Sequence, residues 1–560
     1  MPTSTVPAAV DYRTIADHGP PIGFFDSRTM TAELARNALL ADARSAAAGI
    51  ADHGIHRGDR ILLLAPTSPD YLTVLMACLL TGIAPCTVAP PPKPADTASA
   101  GVRHLHAAIA AVRPAAVIVA DTHLAEAVPK GVPALHLDQL RRRGTLPAGD
   151  LPEPDPELIH HIQLTSGSTS APKAVLLTHA NVAANLAALA AATELQPDRD
   201  AIFSWLPLYH DMGLVQVLLA LSRGIGLDLM PPVAFLRDPL SWLRHLGDRG
   251  ATMTAAPPFA YRTTADRHTR RPDPRLHLST LRQAYVGAEP IPVGVLQDFQ
   301  HTFTPHGLGD NVLIPCYGMA ETVLATALAL DAAPSSETSF GRVRWRHFDR
   351  ASLDDAHIAA PAIPGRPTRS IVSCGTVVPG LTVRITDDSD REIREGQVGT
   401  IHVRGTSVMA GYLTPDGVDA PPGGWHDTGD LGVRHDGDLY VVGRRKEMLI
   451  VRGRNLPPYD VEAVIEEHPH IGAGNSAVFS CPTEDQGTEP VVAAIETRVA
   501  TPDWPALRTA VATAVRDVFG LSLTEVIVLP RGGIPRTTSG KRQRAALRDA
   551  YLAGRLPSEQ

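Results

Sequence analysis

The chain of 560 residues predicts an α/β protein with a large N-terminal domain and a small α+β C-terminal domain. Three observations carry this reading. Short apolar strand-like runs alternate with helical runs from residue 31 onward, as in βα units that feed a mostly parallel sheet. From about Ser373 the pattern turns to β, which marks a compact β subdomain. After Arg444-Arg445-Lys446 a fresh αβ series begins, roughly 110 residues long and sufficient for a second domain.

Taken in order, residues 31–51 show alanine- and leucine-rich helical spacing, 60–64 an apolar strand, 70–81 a helix and 84–88 a strand. Pro90-Pro91-Pro92-Lys93-Pro94 interrupts regular structure. Residues 102–112 are helical, 116–120 and 158–163 are strands, and 181–191 are helical. Strands are expected within 201–207, 281–286 and 312–315, then at 381–386, 399–403 and 439–442. The C-terminal series reads helix 460–467, strands 476–480 and 491–496, helix 504–519 and strand 526–529. Residues 335–369, rich in Arg, His, Ser and Pro, lack sustained periodicity and read as a long loop.

Apolar content of 44% and charged content of 20% are those of an ordinary globular protein. A net charge of −8 with mixed signs argues against a nucleic-acid partner and leaves room for a local basic patch facing an acidic protein. The five cysteines are scattered and never form C-x-x-C, which points to free thiols in a reducing cytoplasm rather than a disulfide framework or zinc site. Residues 1–26 lack a signal-peptide pattern, so a cytoplasmic location is expected. The longest apolar run, 74–80, is far shorter than the roughly 20 residues of a membrane span and reads as a buried helix.

Five motifs carry chemistry. Leu164 to Lys173 reads L-T-S-G-S-T-S-A-P-K, with hydroxyls at Thr165, Ser166, Ser168 and Thr169 around Gly167. Short hydroxyl side chains and a glycine leave backbone N–H groups open to a polyphosphate, and Lys173 adds a point charge. This is not a Walker A loop, since G-x-x-x-x-G-K-[ST] is absent. Tyr317-Gly318-Met319-Ala320-Glu321-Thr322 combines an aromatic, a glycine and a carboxylate, suited to a nucleotide floor with an oxygen ligand for a metal. Asp427-Thr428-Gly429-Asp430 offers carboxylates to ribose hydroxyls. Gly443-Arg444-Arg445-Lys446 supplies dense positive charge. Pro535-Arg536-Thr537-Thr538-Ser539-Gly540-Lys541 presents a lysine beside a permissive glycine. Taken singly, each is equally a polar turn, an acidic loop or an exposed lysine.

The set in this order resembles the acyl-adenylate-forming superfamily, and most closely the fatty acyl-AMP ligases. The closer likeness rests on Trp205-Leu206-Pro207-Leu208-Tyr209-His210-Asp211-Met212-Gly213-Leu214, Pro257-Pro258-Phe259-Ala260-Tyr261, Gly287-Ala288-Glu289-Pro290, Pro315-Cys316-Tyr317-Gly318 and Arg452-Gly453-Arg454-Asn455. Residues 335–369 lie where those ligases carry an insertion, which in that family is linked to poor use of free coenzyme A and preference for a carrier protein. The resemblance implies two βα-type sheet subdomains plus a β subdomain in an N-terminal domain, 1–443, a hinge at 444–446 centred on Lys446, and a small mobile α+β lid, 447–560.

The same resemblance implies ATP and Mg²⁺ as cofactors. Thr165, Ser166, Gly167, Ser168, Thr169 and Lys173 would hold the β- and γ-phosphates. Glu321 would support Mg²⁺, directly or through water. Gly287, Ala288, Glu289 and Tyr317 would surround adenine, with Gly318, Met319, Ala320 and Thr322 in the adjoining loop. Asp430 would bind the ribose, with Arg444 nearby, Lys541 would bridge carboxylate and α-phosphate, and His210 would lie beside the acyl pocket. The implied partners are a fatty or other carboxylic acid and a separate phosphopantetheinylated acyl carrier protein. The phosphate loop departs from the pattern in having Ala171 and Ala174 where relatives often have glycine. Three rival readings share some or all of these motifs: a coenzyme A ligase, a stand-alone amino- or aryl-acid adenylation enzyme in which Asp211 faces the substrate, and a nucleotide-binding protein without activity.

Overall fold

The computed structural model describes residues 8–556 except 18, 98, 141–143, 166–171, 334–335, 355, 452–453, 482–488, 498–502 and 538–539. Its spine is a nine-stranded sheet. Six parallel strands, Leu313–Gly318, Gln283–Val286, Met253–Ala256, Ala201–Ser204, Gly226–Leu229 and Ile22–Phe25, lie side by side, with antiparallel strands at both edges. The strands are apolar and buried because helices cover them, as parallel sheets require. The helix Asp211–Arg223, which follows Ala201–Ser204, ends at Gly224 in the left-handed conformation (φ 68°) that glycine adopts without strain.

A second parallel sheet runs Ala84–Thr87, Arg60–Leu64, Ala116–Val119, Ala134–His136. The helix Pro69–Thr81 crosses between its first two strands in sequence. Ser68 starts that helix by accepting from the Tyr71 N–H, and Gly82 (φ 72°) ends it. The strands Ile159–Thr165 and Lys173–Thr178 form a hairpin, and Gly411–Thr414 pairs with its second strand. Four antiparallel strands, Leu381–Thr386, Gly399–Gly405, His426–His435 and Asp438–Arg444, make the β subdomain.

The C-terminal part has its own three-stranded sheet, Ser476–Ser480, Val491–Glu496 and Glu525–Leu529. Alternation decides what each face meets. Val478, Val491, Ala493, Val526 and Val528 pack on the helices Pro458–Glu466 and Trp504–Phe519. Ala477, Phe479, Val492, Ile527 and Leu529 pack with Leu547 of Arg544–Leu552.

Two segments differ from expectation. Residues 31–34 belong to an edge strand, Met30–Leu34, and the helix begins only at Arg36. Asp26 Oδ1 accepts from the N–H groups of Arg28 and Thr29 and folds the chain into the hairpin that pairs this strand with Ile22–Phe25. Residues 335–369 are not a loop. They contain most of a small antiparallel sheet, Ser339–Phe340, Val343–Asp349 and Thr368–Val372, with a helical turn at Arg350–Asp354. Val343 and Trp345 point into the core between Arg344 and Arg346, which lean toward solvent, so a period of two is present beneath the positive charge.

Candidate functional site

One cleft of about 2340 Å³ lies over the C-terminal ends of the parallel strands and is roofed by the C-terminal part of the chain. Such a crevice is where open α/β sheets bind ligands, and its volume exceeds what one small molecule fills.

Tyr317 ends the strand Leu313–Gly318. Its hydroxyl donates to Asp430 Oδ2 at 2.8 Å, and Arg444 Nε donates to Asp430 Oδ1 at 3.0 Å. Asp430 and Arg444 are direct cross-strand partners, so the β subdomain itself sets this pair. Burial, then the Asp430 carboxylate, pushes the Tyr317 hydroxyl well above its usual range, which keeps it a donor. Gly318 is required by space: a Cβ there would lie 1.8 Å from the Leu324 carbonyl oxygen. At Gly287 a Cβ would lie 2.7 Å from Cys316 Sγ. Ala288 follows at φ 66°, turning the chain so that Ala288 and Glu289 line the cleft. Glu289 is raised above the usual carboxylate range by burial, against Lys541 and three arginines that oppose the shift.

Glu321 sits in the short helical turn Ala320–Thr322 and lines the cleft with Tyr317, Gly318, Met319 and Ala320. Its Oε1 accepts from the Tyr412 hydroxyl at 2.8 Å. Val323, fully buried and β-branched, is held at φ 70°, a costly conformation for such a residue. Thr322 stands apart: it is buried, its hydroxyl is spent on Met319 and Thr326, and it does not line the cleft. Gly287 likewise supports the wall without lining it.

Thr165 and Lys173 face each other as a cross-strand pair at the mouth of their hairpin, and both line the cleft. Lys173 Nζ lies 4.3 Å from the centre of the Tyr412 ring. Ser166, Gly167, Ser168 and Thr169 lie outside the described residues.

His210 caps the N-terminus of the helix Asp211–Arg223 and borders the cleft with Asp211. Burial, helped by the charges of Lys541 and His104, lowers His210 to about 3, so its imidazole is neutral at physiological pH. Burial raises Asp211, with Lys541 acting against it and Glu321 acting with it. Lys541 lines the same cleft, and its charge acts on His210, Asp211 and Glu289 together.

Lys541 owes this position to its neighbours. Arg542 Nη1 contacts Glu462 Oε2 at 2.7 Å, and Arg544 Nε contacts Glu462 Oε1 at 2.7 Å. Glu462 is fully buried. Arg544 also reaches Glu447 at 2.7 Å, beside Lys446. Lys446 is exposed in the turn Arg445–Glu447 and lines the cleft.

Beneath this polar zone runs an apolar arm. Met212, Val215, Gln216 and Leu219 present one helical face, and Leu189, Ile202, Met253, Ala325 and Leu328 stand opposite. Leu189, Ile202 and Met253 are buried, as are most of the apolar residues that line this part of the cleft. Sequence reasoning missed Tyr412, Glu462 and the helix face. Tyr412 follows Gly411 in a short polar-edged strand with no local signal of function, and Glu462 reads as one more surface helix carboxylate.

Residues 31–413 match the model of the AMP-binding enzyme family, and residues 446–560 match that of the Disco-interacting protein 2-like AMP domain. The chain belongs to the AMP-binding enzyme family, the acyl-adenylate-forming superfamily. It is 31% identical to the long-chain-fatty-acid–AMP ligase FadD32 of Mycolicibacterium smegmatis, across 89% of this chain and 86% of that one. It is 30% identical to the medium-chain-fatty-acid–[acyl-carrier-protein] ligase JamA of Moorena producens, across 90% and 87%. A solved chain from work on fatty acyl-adenylate ligases of E. coli and L. pneumophila superposes with a TM-score of 0.88 at 31% identity, covering 97% of this chain and 98% of that one. Proteins at the same level of identity carry provisional names as coenzyme A ligases, so names alone do not decide the final acceptor. Among the described residues no helix is long and apolar enough to cross a membrane.

Proposed function

We propose that the protein is a fatty acyl-AMP ligase that activates an aliphatic acid with ATP and passes the acyl group to the phosphopantetheine thiol of a separate carrier protein. The observation that carries this reading is the apolar face of Met212, Val215 and Leu219, which lines the same cleft as Lys541. An amino acid's ammonium would find one carboxylate beside this face, Asp211, whose charged form burial disfavours, whereas a hydrocarbon tail buries there at about 0.8 kcal/mol per methylene.

In the first half-reaction a carboxylate oxygen attacks the α-phosphorus of ATP, the bond to the β-phosphate oxygen breaks, and pyrophosphate leaves. Two anions must approach, so the site has to supply positive charge. Lys541 would sit between carboxylate and α-phosphate. Thr165 and Lys173 would receive the β- and γ-phosphates with Ser166, Gly167, Ser168 and Thr169. Asp430, held by Tyr317 and Arg444, would accept from the ribose hydroxyls, and Ala288 and Glu289 would border the adenine. Neutral His210 would flank the carboxylate without adding charge. Glu321 would support a magnesium ion, since its carboxylate lines the cleft and, among the described residues, only its Oε1 takes a side-chain hydrogen bond, from Tyr412. A bound magnesium ion would neutralise charge on the departing pyrophosphate.

In the second half-reaction a thiol attacks the acyl carbonyl and AMP leaves. Lys541 would withdraw as the C-terminal domain, 447–560, turns about Lys446. The sheet within 335–369 bears on this step: Arg369 and Arg350 reach Asp460 and Phe519 of the C-terminal part. Contacts of this kind favour an acceptor that brings docking energy of its own, such as a carrier protein, over free coenzyme A. The test offers coenzyme A and a phosphopantetheinylated carrier protein side by side in single-turnover assays. Carrier acylation at least tenfold faster supports the reading, and efficient acyl-CoA formation would return it to a coenzyme A ligase.

A further inference from the structure

We propose that Tyr412 is a positioning residue that holds Lys173 and Glu321 apart and in register, so that the first can meet phosphate and the second a metal ion. The inference rests on the adenylation reading above.

Lys173 and Glu321 carry opposite charges on the wall of one cleft. Direct pairing would satisfy each with the other and cancel the fields that a polyphosphate and a divalent cation need. The phenol of Tyr412 stands between them. Lys173 Nζ rests over the ring face, 4.3 Å from its centre, where the quadrupole attracts a cation. The hydroxyl at the ring's far tip donates to Glu321 Oε1 at 2.8 Å. One rigid side chain therefore answers a cation with its face and a carboxylate with its edge.

The backbone fixes this arrangement. Tyr412 pairs with Val175 across antiparallel strands, which makes Lys173 its diagonal neighbour on the same sheet face. Three residues earlier, the Met409 N–H donates to the Glu321 carbonyl at 2.8 Å. The segment carrying Tyr412 thus binds the Glu321 turn twice and the Lys173 strand by its ladder. Burial, then the nearby Glu321 charge, pushes the Tyr412 hydroxyl far above its usual range, so it remains protonated and a donor. His426, whose ring centre is 6.3 Å from that of Tyr412, closes the side of the cluster and feels both Glu321 and Lys173. The phosphate lysine and the metal carboxylate then respond together to a ligand, because either can move only against the same ring.

Tyr412→Phe keeps the ring and removes the hydroxyl, whereas Tyr412→Leu removes both functions. ATP affinity of the full chain is measured by calorimetry in EDTA and across a Mg²⁺ titration, beside KM for the acid and the melting temperature. Tyr412→Phe is expected to bind ATP in EDTA within about twofold of wild type, yet to need about fivefold more Mg²⁺ for half-maximal enhancement of binding. Tyr412→Leu is expected to lose about fivefold in EDTA as well, through the freed lysine, with acid KM near wild type in both variants. An unchanged Mg²⁺ titration in Tyr412→Phe overturns the proposal, as does a loss of ATP affinity paralleled by a rise in acid KM and a fall in melting temperature. Should Tyr412→Leu not fold, the Tyr412→Phe titration decides alone. A wild-type chain that binds no ATP contradicts the adenylation reading instead.

Discussion

Arg369 and Asp460 join the sheet within 335–369 to the first helix of the C-terminal part, Nε to Oδ2 at 2.8 Å, with Arg369 only 5% exposed. The same guanidinium reaches the Val442 carbonyl and the Tyr459 hydroxyl through Nη2 at 2.5 Å, and Asp354 lies 3.9 Å from Nη1. Arg369→Ala leaves the buried Asp354 and the part-buried Asp460 without their cation. It is expected to lower stability by about 3–5 kcal/mol, and Arg369→Met to cost less if Asp460 is changed to Asn with it. Denaturant midpoints measure this. Limited proteolysis near 444–446 should also quicken if the contact restrains the C-terminal domain, and an unchanged cleavage rate would remove that role.

Lys541→Ala should reduce acyl-AMP formation by about 10²–10³ while ATP still binds, since the lysine acts where charge crowds in the transition state. Rapid-quench measurement of acyl-AMP, with ATP binding read separately, checks this. Near-normal acyl-AMP formation would place the catalytic cation elsewhere.

Glu462 holds both arginines that flank Lys541 and is itself fully buried. Glu462→Gln removes the shared charge and leaves Arg542 only Glu466 and Arg544 only Glu447 as carboxylate partners. We expect a loss of about 3–5 kcal/mol in the C-terminal sheet and a fall in kcat with acid KM unchanged. A kcat equal to wild type in a folded variant would show that Lys541 is placed without this clamp.

Leu219 lines the apolar part of the cleft about 10 Å along the helix from Met212 at 1.5 Å per residue. Leu219→Phe should shift the preferred acid to a shorter chain and leave short acids unaffected. Competition between acids of different length reads the shift directly. An unchanged preference would mean that the tail takes another route.

His160, His161 and His179 form a buried cluster behind the phosphate hairpin, with His160 and His161 Nδ1 atoms 2.8 Å apart. Burial lowers all three, His161 to about 3 and His179 to about 4. The unfolded chain takes up protons near pH 6.5 that the folded chain refuses, so stability falls as pH drops from about 6.5 toward 4. At pH 5 each such histidine costs about 2 kcal/mol. Melting temperature followed from pH 7 to 5 should drop, and His179→Gln should flatten the profile. Equal slopes in both proteins would assign the acid sensitivity to other groups.

The strands Ser476–Ser480 and Val491–Glu496 are legible because both faces of each are buried, which gives short unbroken apolar runs. The strand Val343–Asp349 is not, since Arg344, Arg346 and His347 interrupt its inward Val343, Trp345 and Phe348. The motifs around Lys173, Glu321, Asp430 and Lys541 are readable from local residue types, and the structure brings these four residues to one cleft. What sequence withholds is long-range pairing. Tyr412 meets Lys173 only because Gly411–Thr414 joins Lys173–Thr178, and Arg542 meets Glu462 only through tertiary packing.

The central claim is that this cleft adenylates an aliphatic acid. ATP–pyrophosphate exchange across short, medium, long and aromatic carboxylic acids, with amino acids included, tests it most directly. Exchange is expected to require an aliphatic acid, to rise with chain length to an optimum set by the apolar part of the cleft, and to disappear in Lys541→Ala. Exchange driven by amino or aromatic acids alone, or none with any acid, would contradict it.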